Sequence, residues 1–110
     1  MSTSEGIIKA ELKKMLKAYE PEVWYFMPIG GPYAAKGTPD FILCVAGDFI
    51  SVETKAKGKK PTVLQELCMA KIRVAGGQAY VIDCEEKIWV LEEDIKFALG
   101  GVICGYPKEK

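Results

Sequence analysis

A chain of 110 residues with 49% hydrophobic content has the size and apolar content of one domain with a real core. Fifteen basic and fifteen acidic residues cancel, which argues against tight non-specific binding to nucleic acid, and no apolar run approaches the roughly 20 residues of a membrane span. There is no histidine, and Cys44, Cys68, Cys84 and Cys104 lie far apart with no Cys-x-x-Cys pair, which argues against structural zinc and excludes histidine-assisted nucleophiles. The N-terminal Met-Ser-Thr-Ser-Glu has neither the basic nor the apolar region of a signal peptide, so a cytoplasmic setting is expected.

Taken in order, Ser4 can cap a first helix whose apolar stripe is Ile8, Leu12, Met15, Leu16 and Tyr19. Glu5 extends that stripe toward the N-terminus and so faces the sheet, where the helix dipole also favours a carboxylate. Pro21 ends the helix, and Val23-Trp24-Tyr25-Phe26-Met27 reads as a strand. A loop rich in glycine and proline follows, containing Tyr33 and Lys36. Next come two runs rich in β-branched and aromatic residues, Phe41 to Ala46 and Phe49 to Lys55, joined by Gly47-Asp48. They read as a β-hairpin, and with Gly47 and Asp48 as the loop, Ala46 faces Phe49, Ile42 faces Glu53 and Asp40 faces Lys55.

The continuously apolar first strand suggests burial on both faces, with Cys44 and Cys68 as small core hydrophobes. After Lys57, Lys59 and Lys60, Thr62 and Gln65 fit a capping box that opens a helix running to about Ala75, stopped by Gly76-Gly77. Gln78 to Asp83 is a further strand. Beyond it, Lys87 to Leu91 reads as a short strand, Glu92 to Leu99 as a short helix, and Gly100 to Tyr106 as an edge strand or a dimer contact.

Residues two apart on a strand share a face, so Asp40, Glu53 and Lys55 converge on one side of the hairpin. Two neighbouring carboxylates repel unless a proton or a cation lies between them. Their hard oxygens suit Mg²⁺ or Mn²⁺, ions that keep several waters and are completed by substrate phosphate. A lysine beside such a pair can orient an attacking water or offset charge developing on phosphate. The bland reading of the same residues is a strand-end aspartate with a surface Glu-Lys pair.

Gly37-Thr38-Pro39-Asp40, followed across the hairpin by Glu53-Thr54-Lys55, resembles the active-site signature of the PD-(D/E)XK nuclease superfamily. Within it the set is most similar to the VRR-NUC (virus-type replication-repair nuclease) family, because Glu5 and Gln65 stand where that family places a glutamate and a glutamine. The resemblance covers roughly residues 4 to 84 of a single domain, with residues 85 to 110 as a C-terminal extension. It implies an α/β (α+β) restriction-endonuclease-like core of order αβββαβ, with a central mixed sheet flanked by helices. The activity implied is metal-dependent endonuclease cleavage of DNA, with branched DNA such as a four-way junction as one substrate class. Asp40, Glu53 and the Thr54 backbone carbonyl would hold Mg²⁺ or Mn²⁺, Lys55 would position the attacking water, and Glu5 and Gln65 would support the site.

Tyr33, Lys36, Lys57, Lys59 and Lys60 are the expected DNA contacts. Tyr33 covering the core edge, a solvated lysine loop and a purely structural Gln65 cap remain open beside them. Members of the family that stand alone imply a homodimer, in a bacterial or phage-infected cell. The alternatives are an inactive module that binds nucleic acid or a partner on the same fold, and a nuclease acting on RNA or single-stranded ends.

Overall fold

The computed structural model describes residues 4–30, 32 and 35–105, with side chains described as far as Gly100. Three helices and one four-stranded sheet follow in the order α1 (Ser4–Ala18), β1 (Val23–Phe26), β2 (Phe41–Val45), β3 (Asp48–Thr54), α2 (Val63–Val74), β4 (Gln78–Ile82) and α3 (Glu85–Gly105). Spatial order in the sheet equals chain order, with β1, β2 and β3 antiparallel and β4 parallel to β3. A parallel pair needs a crossover, and α2 supplies it. The mixed sheet with flanking helices is the α+β arrangement expected of the sequence.

Alternation in the strands decides which helix lies where. Phe41, Leu43, Val45, Ile50, Val52 and Ile82 turn to one face and are buried there. Ile8, Leu12 and Leu16 of α1 join them in one cluster with Ile88, Leu91, Ile95 and Leu99 of α3. Each such side chain contributes about 1.5–3 kcal/mol when fully removed from water, so this face dominates the folding energy. The opposite face is covered only in part. α2 packs on β4, and Ile72 lies beside Phe49 where both approach Gly77. Over β1 and β2 no described element covers that face, and Trp24, Phe26 and Cys44 are exposed.

Three expectations change. The hairpin loop is Ala46-Gly47 and not Gly47-Asp48, since Val45 pairs with Asp48 and Cys44 with Phe49. Ala46 and Gly47 both have positive φ (52° and 88°), the geometry a tight two-residue hairpin demands of both central positions. The register therefore moves by two residues, which preserves the parity, so the convergence of Asp40, Glu53 and Lys55 on one side survives. Cys44 is exposed, because no described element covers the outer face of β2, and Cys68 is half-buried; neither is core. Finally, the proposed strand at Lys87 to Leu91, the short helix and the edge strand as far as Gly105 are one helix, α3. Ile88, Leu91, Ile95 and Leu99 recur every three or four residues and are all buried, a helical stripe that the apolar run Ile88 to Leu91 had masked.

Candidate active site

Four chain segments meet at the C-terminal end of β3. The residues just after Thr54 continue the sheet, with the Lys55 N–H donating to the Ile82 carbonyl at 2.9 Å. That bond holds Lys55 in strand-like alternation, two residues from Glu53 and on its face. Antiparallel to them, Asp40 immediately precedes β2. Its Oδ2 accepts from the Thr54 N–H at 2.9 Å and from the Thr54 hydroxyl at 2.7 Å. Asp40 thus pairs with the end of β3 through its side chain where the backbone ladder has stopped.

The Gly37-Thr38-Pro39 segment leading to Asp40 is set by close packing. Gly37 has φ +83°, and a Cβ there would lie 2.6 Å from the Leu64 carbonyl oxygen. Only glycine combines that backbone conformation with that approach. Its contact brings the segment against the first turn of α2, where Gln65 stands. Thr62 caps the helix by accepting from the Gln65 N–H at 3.2 Å, and the Gln65 Oε1 accepts in return from the Thr62 N–H at 2.8 Å. The Gln65 Nε2 remains, and it donates to Glu53 Oε2 at 2.6 Å. The helix cap and the contact to Glu53 are made by the two terminal atoms of one Gln65 carboxamide.

Glu53 is the centre of the arrangement. It is only 4% exposed. Oε2 also faces the Lys55 ammonium at 3.8 Å, whereas Oε1 is buried with no hydrogen-bond partner among the described residues. Burial pushes the Glu53 carboxyl up to about 7, the neighbouring Asp40 charge adds to the rise, and Lys55 opposes it. A buried acceptor with no donor is costly, and a second carboxylate nearby makes it costlier. A proton or a cation at Oε1 removes both penalties together. The donor set therefore fits a hard divalent ion: one carboxylate near the end of β3 and one just before β2, with the Thr54 carbonyl at the same end of β3. Among the described residues no three histidine, cysteine, aspartate or glutamate side chains form a metal cage.

Glu5 lies at the start of α1 as expected, but it reaches the carboxylate pair through an intermediary. Lys9 Nζ is 3.8 Å from Glu5 Oε2 and 3.7 Å from Asp40 Oδ1. Lys9 was not singled out in the sequence, although its position one turn after Glu5 is the signal that pairs them. The Thr54 hydroxyl was likewise missed as the partner of Asp40. With α1 beginning at Ser4 and α2 at Val63, two helix N-termini with their positive dipole ends border the carboxylates. Lys57, Lys59 and Lys60 are exposed on the loop leaving the site, and Lys36 is exposed just before Gly37. Tyr33 lies outside the described residues.

No family model matches the sequence, and no curated protein matches it. Among solved structures, a VRR_NUC domain superposes with a TM-score of 0.71, covering 84% of this chain and 97% of that one, at 21% identity. The likeness establishes the fold.

Proposed function

We propose that this chain, built on the fold of a VRR_NUC domain, is a metal-dependent endonuclease that hydrolyses phosphodiester bonds in DNA. The observation that carries the reading is the orphaned, buried Oε1 of Glu53 beside Asp40, with Lys55 on the same strand face. A carboxylate held that way is expensive for a merely structural site and apt for a cation. Asp40, Glu53 and the Thr54 carbonyl are the ligands, with Mg²⁺ or Mn²⁺ as the ion. When bound, the ion supplies Lewis-acid polarisation of the scissile phosphate.

The chain's own residues do the rest. Thr54 fixes Asp40 through two hydrogen bonds to Oδ2, leaving Oδ1 facing the Lys9 ammonium at 3.7 Å. Gln65 fixes Glu53 Oε2 and leaves Oε1 free. Lys55 holds the attacking water or offsets the charge that builds on phosphate, from a half-buried position where its field is less screened. Lys9 places Glu5 beside Asp40 and keeps the carboxylates from driving each other apart. DNA contacts come from Lys36, Lys57, Lys59 and Lys60, and from Tyr33. Among the described residues no helix is long and apolar enough to cross a membrane.

A homodimer acting on branched DNA is the assembly we infer, with one site for each of two strands. Exposed Trp24, Phe26 and Phe49 on the open sheet face supply apolar surface for self-association. Rates on a labelled four-way junction, linear duplex, single strand and RNA, with light scattering at micromolar concentration, test this. A junction preference and a dimeric mass are expected; RNA cut faster than every DNA, or a monomer at all concentrations, overturns the respective statement.

A further inference from the structure

The loop that leaves the active site has a second side. On the β4 flank of β3, opposite the flank that carries Asp40, lies a pocket of about 600 Å³ between this loop, α2, the end of β4 and the start of α3. Its rim carries four cations, Lys59, Lys60, Arg73 and Lys87, against two carboxylates, Glu66 and Asp83. In a chain of zero net charge that is a local concentration of positive charge. Met69 and Val81 form its apolar floor.

The walls are braced from within. Asp83 Oδ2 accepts from the Gly58 N–H at 3.1 Å, its Oδ1 faces Lys87 Nζ at 3.0 Å, and the Lys59 N–H donates to the Ala56 carbonyl at 2.9 Å. Those contacts hold the loop in place and neutralise one anion with one cation. Arg73 uses one Nη2 donor on the Ala79 carbonyl at 2.8 Å, which orients the guanidinium and leaves its remaining donors for a ligand. Lys59 and Lys60 form no ion pair among the described residues. A guanidinium fork, two uncommitted ammonium groups and an apolar floor match a phosphodiester oxygen pair with its sugar.

We propose that this pocket seats a backbone phosphate of the same nucleic acid whose scissile bond lies at Asp40 and Glu53. The proposal rests on the nuclease reading above. One loop links the two sites, beginning at Lys55 in the first and reaching Lys59 and Lys60 on the rim of the second. A strand held at the carboxylates that crosses this loop enters the pocket. Arg73 and Lys87, separated from the active-site motif in sequence, become part of the substrate path.

The test is fluorescence anisotropy of a labelled duplex across a salt series, with Ca²⁺ in place of Mg²⁺. It compares wild type, Arg73→Ala, Lys59→Ala/Lys60→Ala and the α1 surface control Lys17→Ala. Loss of one phosphate contact lowers the slope of log affinity against log salt by about 0.9, a loss of about fivefold to tenfold near 0.1 M salt. Arg73→Ala is expected to show that change, the lysine pair a larger one, and the control none. Unchanged affinity and slope in both pocket variants overturns the proposal. A parallel arm competes the duplex with inorganic phosphate and with a deoxymononucleotide. If either binds in an Arg73-dependent way while duplex binding is indifferent to Arg73, the pocket serves free phosphate compounds and the proposal is wrong. Cutting of the duplex by wild type with Mg²⁺ is measured alongside, so that failure of the nuclease reading registers there and failure of the pocket registers in the salt slopes.

Discussion

Replacing Glu53 by glutamine should stabilise the metal-free protein at neutral pH while destroying its proposed chemistry. The folded-state carboxyl is raised from 4.5 to about 7, chiefly by burial. A group raised in this way binds its proton more tightly when folded. Its contribution is therefore present in full below about pH 4.5 and is lost as pH climbs through about 7. At about 1.4 kcal/mol per unit, ionisation costs the fold about 3 kcal/mol, and relaxation around the charge brings the expected figure to about 2–3 kcal/mol. Glutamine keeps the shape and can still accept from Gln65, but it never ionises. For a domain of this size the gain corresponds to about 10 °C or more in Tm. Thermal melts in EDTA at pH 4.5, 6 and 8 check it. Variant and wild type should coincide at the lowest pH and diverge as pH rises. Saturating Mg²⁺ should then raise the wild-type Tm and leave the variant unmoved, since a ligand stabilises only the protein that binds it. A difference independent of pH, or a variant less stable at pH 8, would refute the claim that an uncompensated carboxylate lies at the centre of the site.

Other consequences can be measured with the same melts. Gly37→Ala places a Cβ 2.6 Å from a backbone oxygen at a positive φ, so a loss of about 2 kcal/mol or more is expected, with the Asp40 segment displaced; a wild-type Tm would contradict the close packing. Gln65→Ala removes half of the capping box and the donor to Glu53, for an expected loss of about 1–2 kcal/mol in EDTA together with weaker Mg²⁺ binding by calorimetry. Loss of stability with unchanged metal affinity would reduce Gln65 to its cap.

The fold was legible where local chemistry is strong. A capped helix start at Thr62, the Gly76-Gly77 stop and the run of β-branched residues each specify their element without help from the rest of the chain. The hairpin register was not legible, because Gly47-Asp48 and Ala46-Gly47 differ only in whether Ala46 tolerates a left-handed conformation, and that is decided by pairing along the whole strand. Side-chain parity was more robust than register, which is why Asp40, Glu53 and Lys55 still share one side despite a wrong loop. α3 escaped because Ile88 to Leu91 is a short apolar run, and a strand and a buried helix segment look alike over so few residues. Within the site, the motif residues were readable as types and spacing. What they do to one another was not: the Thr54 hydroxyl on Asp40, the Lys9 bridge and the lone Oε1 of Glu53 exist only once four segments meet. Cys44 shows the converse, since an apolar run can look like core when one sheet face is left open.

The central claim is that Asp40, Glu53 and Lys55 form a cation-dependent phosphodiesterase site. Its most direct test is cleavage of a labelled four-way junction and a matched duplex with Mg²⁺, Mn²⁺ or EDTA, by wild type and by Lys55→Ala of verified fold. Cutting that requires the ion and disappears in the variant is the predicted result. No cutting by wild type under any of these conditions, with no Mg²⁺ or Mn²⁺ binding by calorimetry, would contradict it and leave a binding module on a nuclease fold.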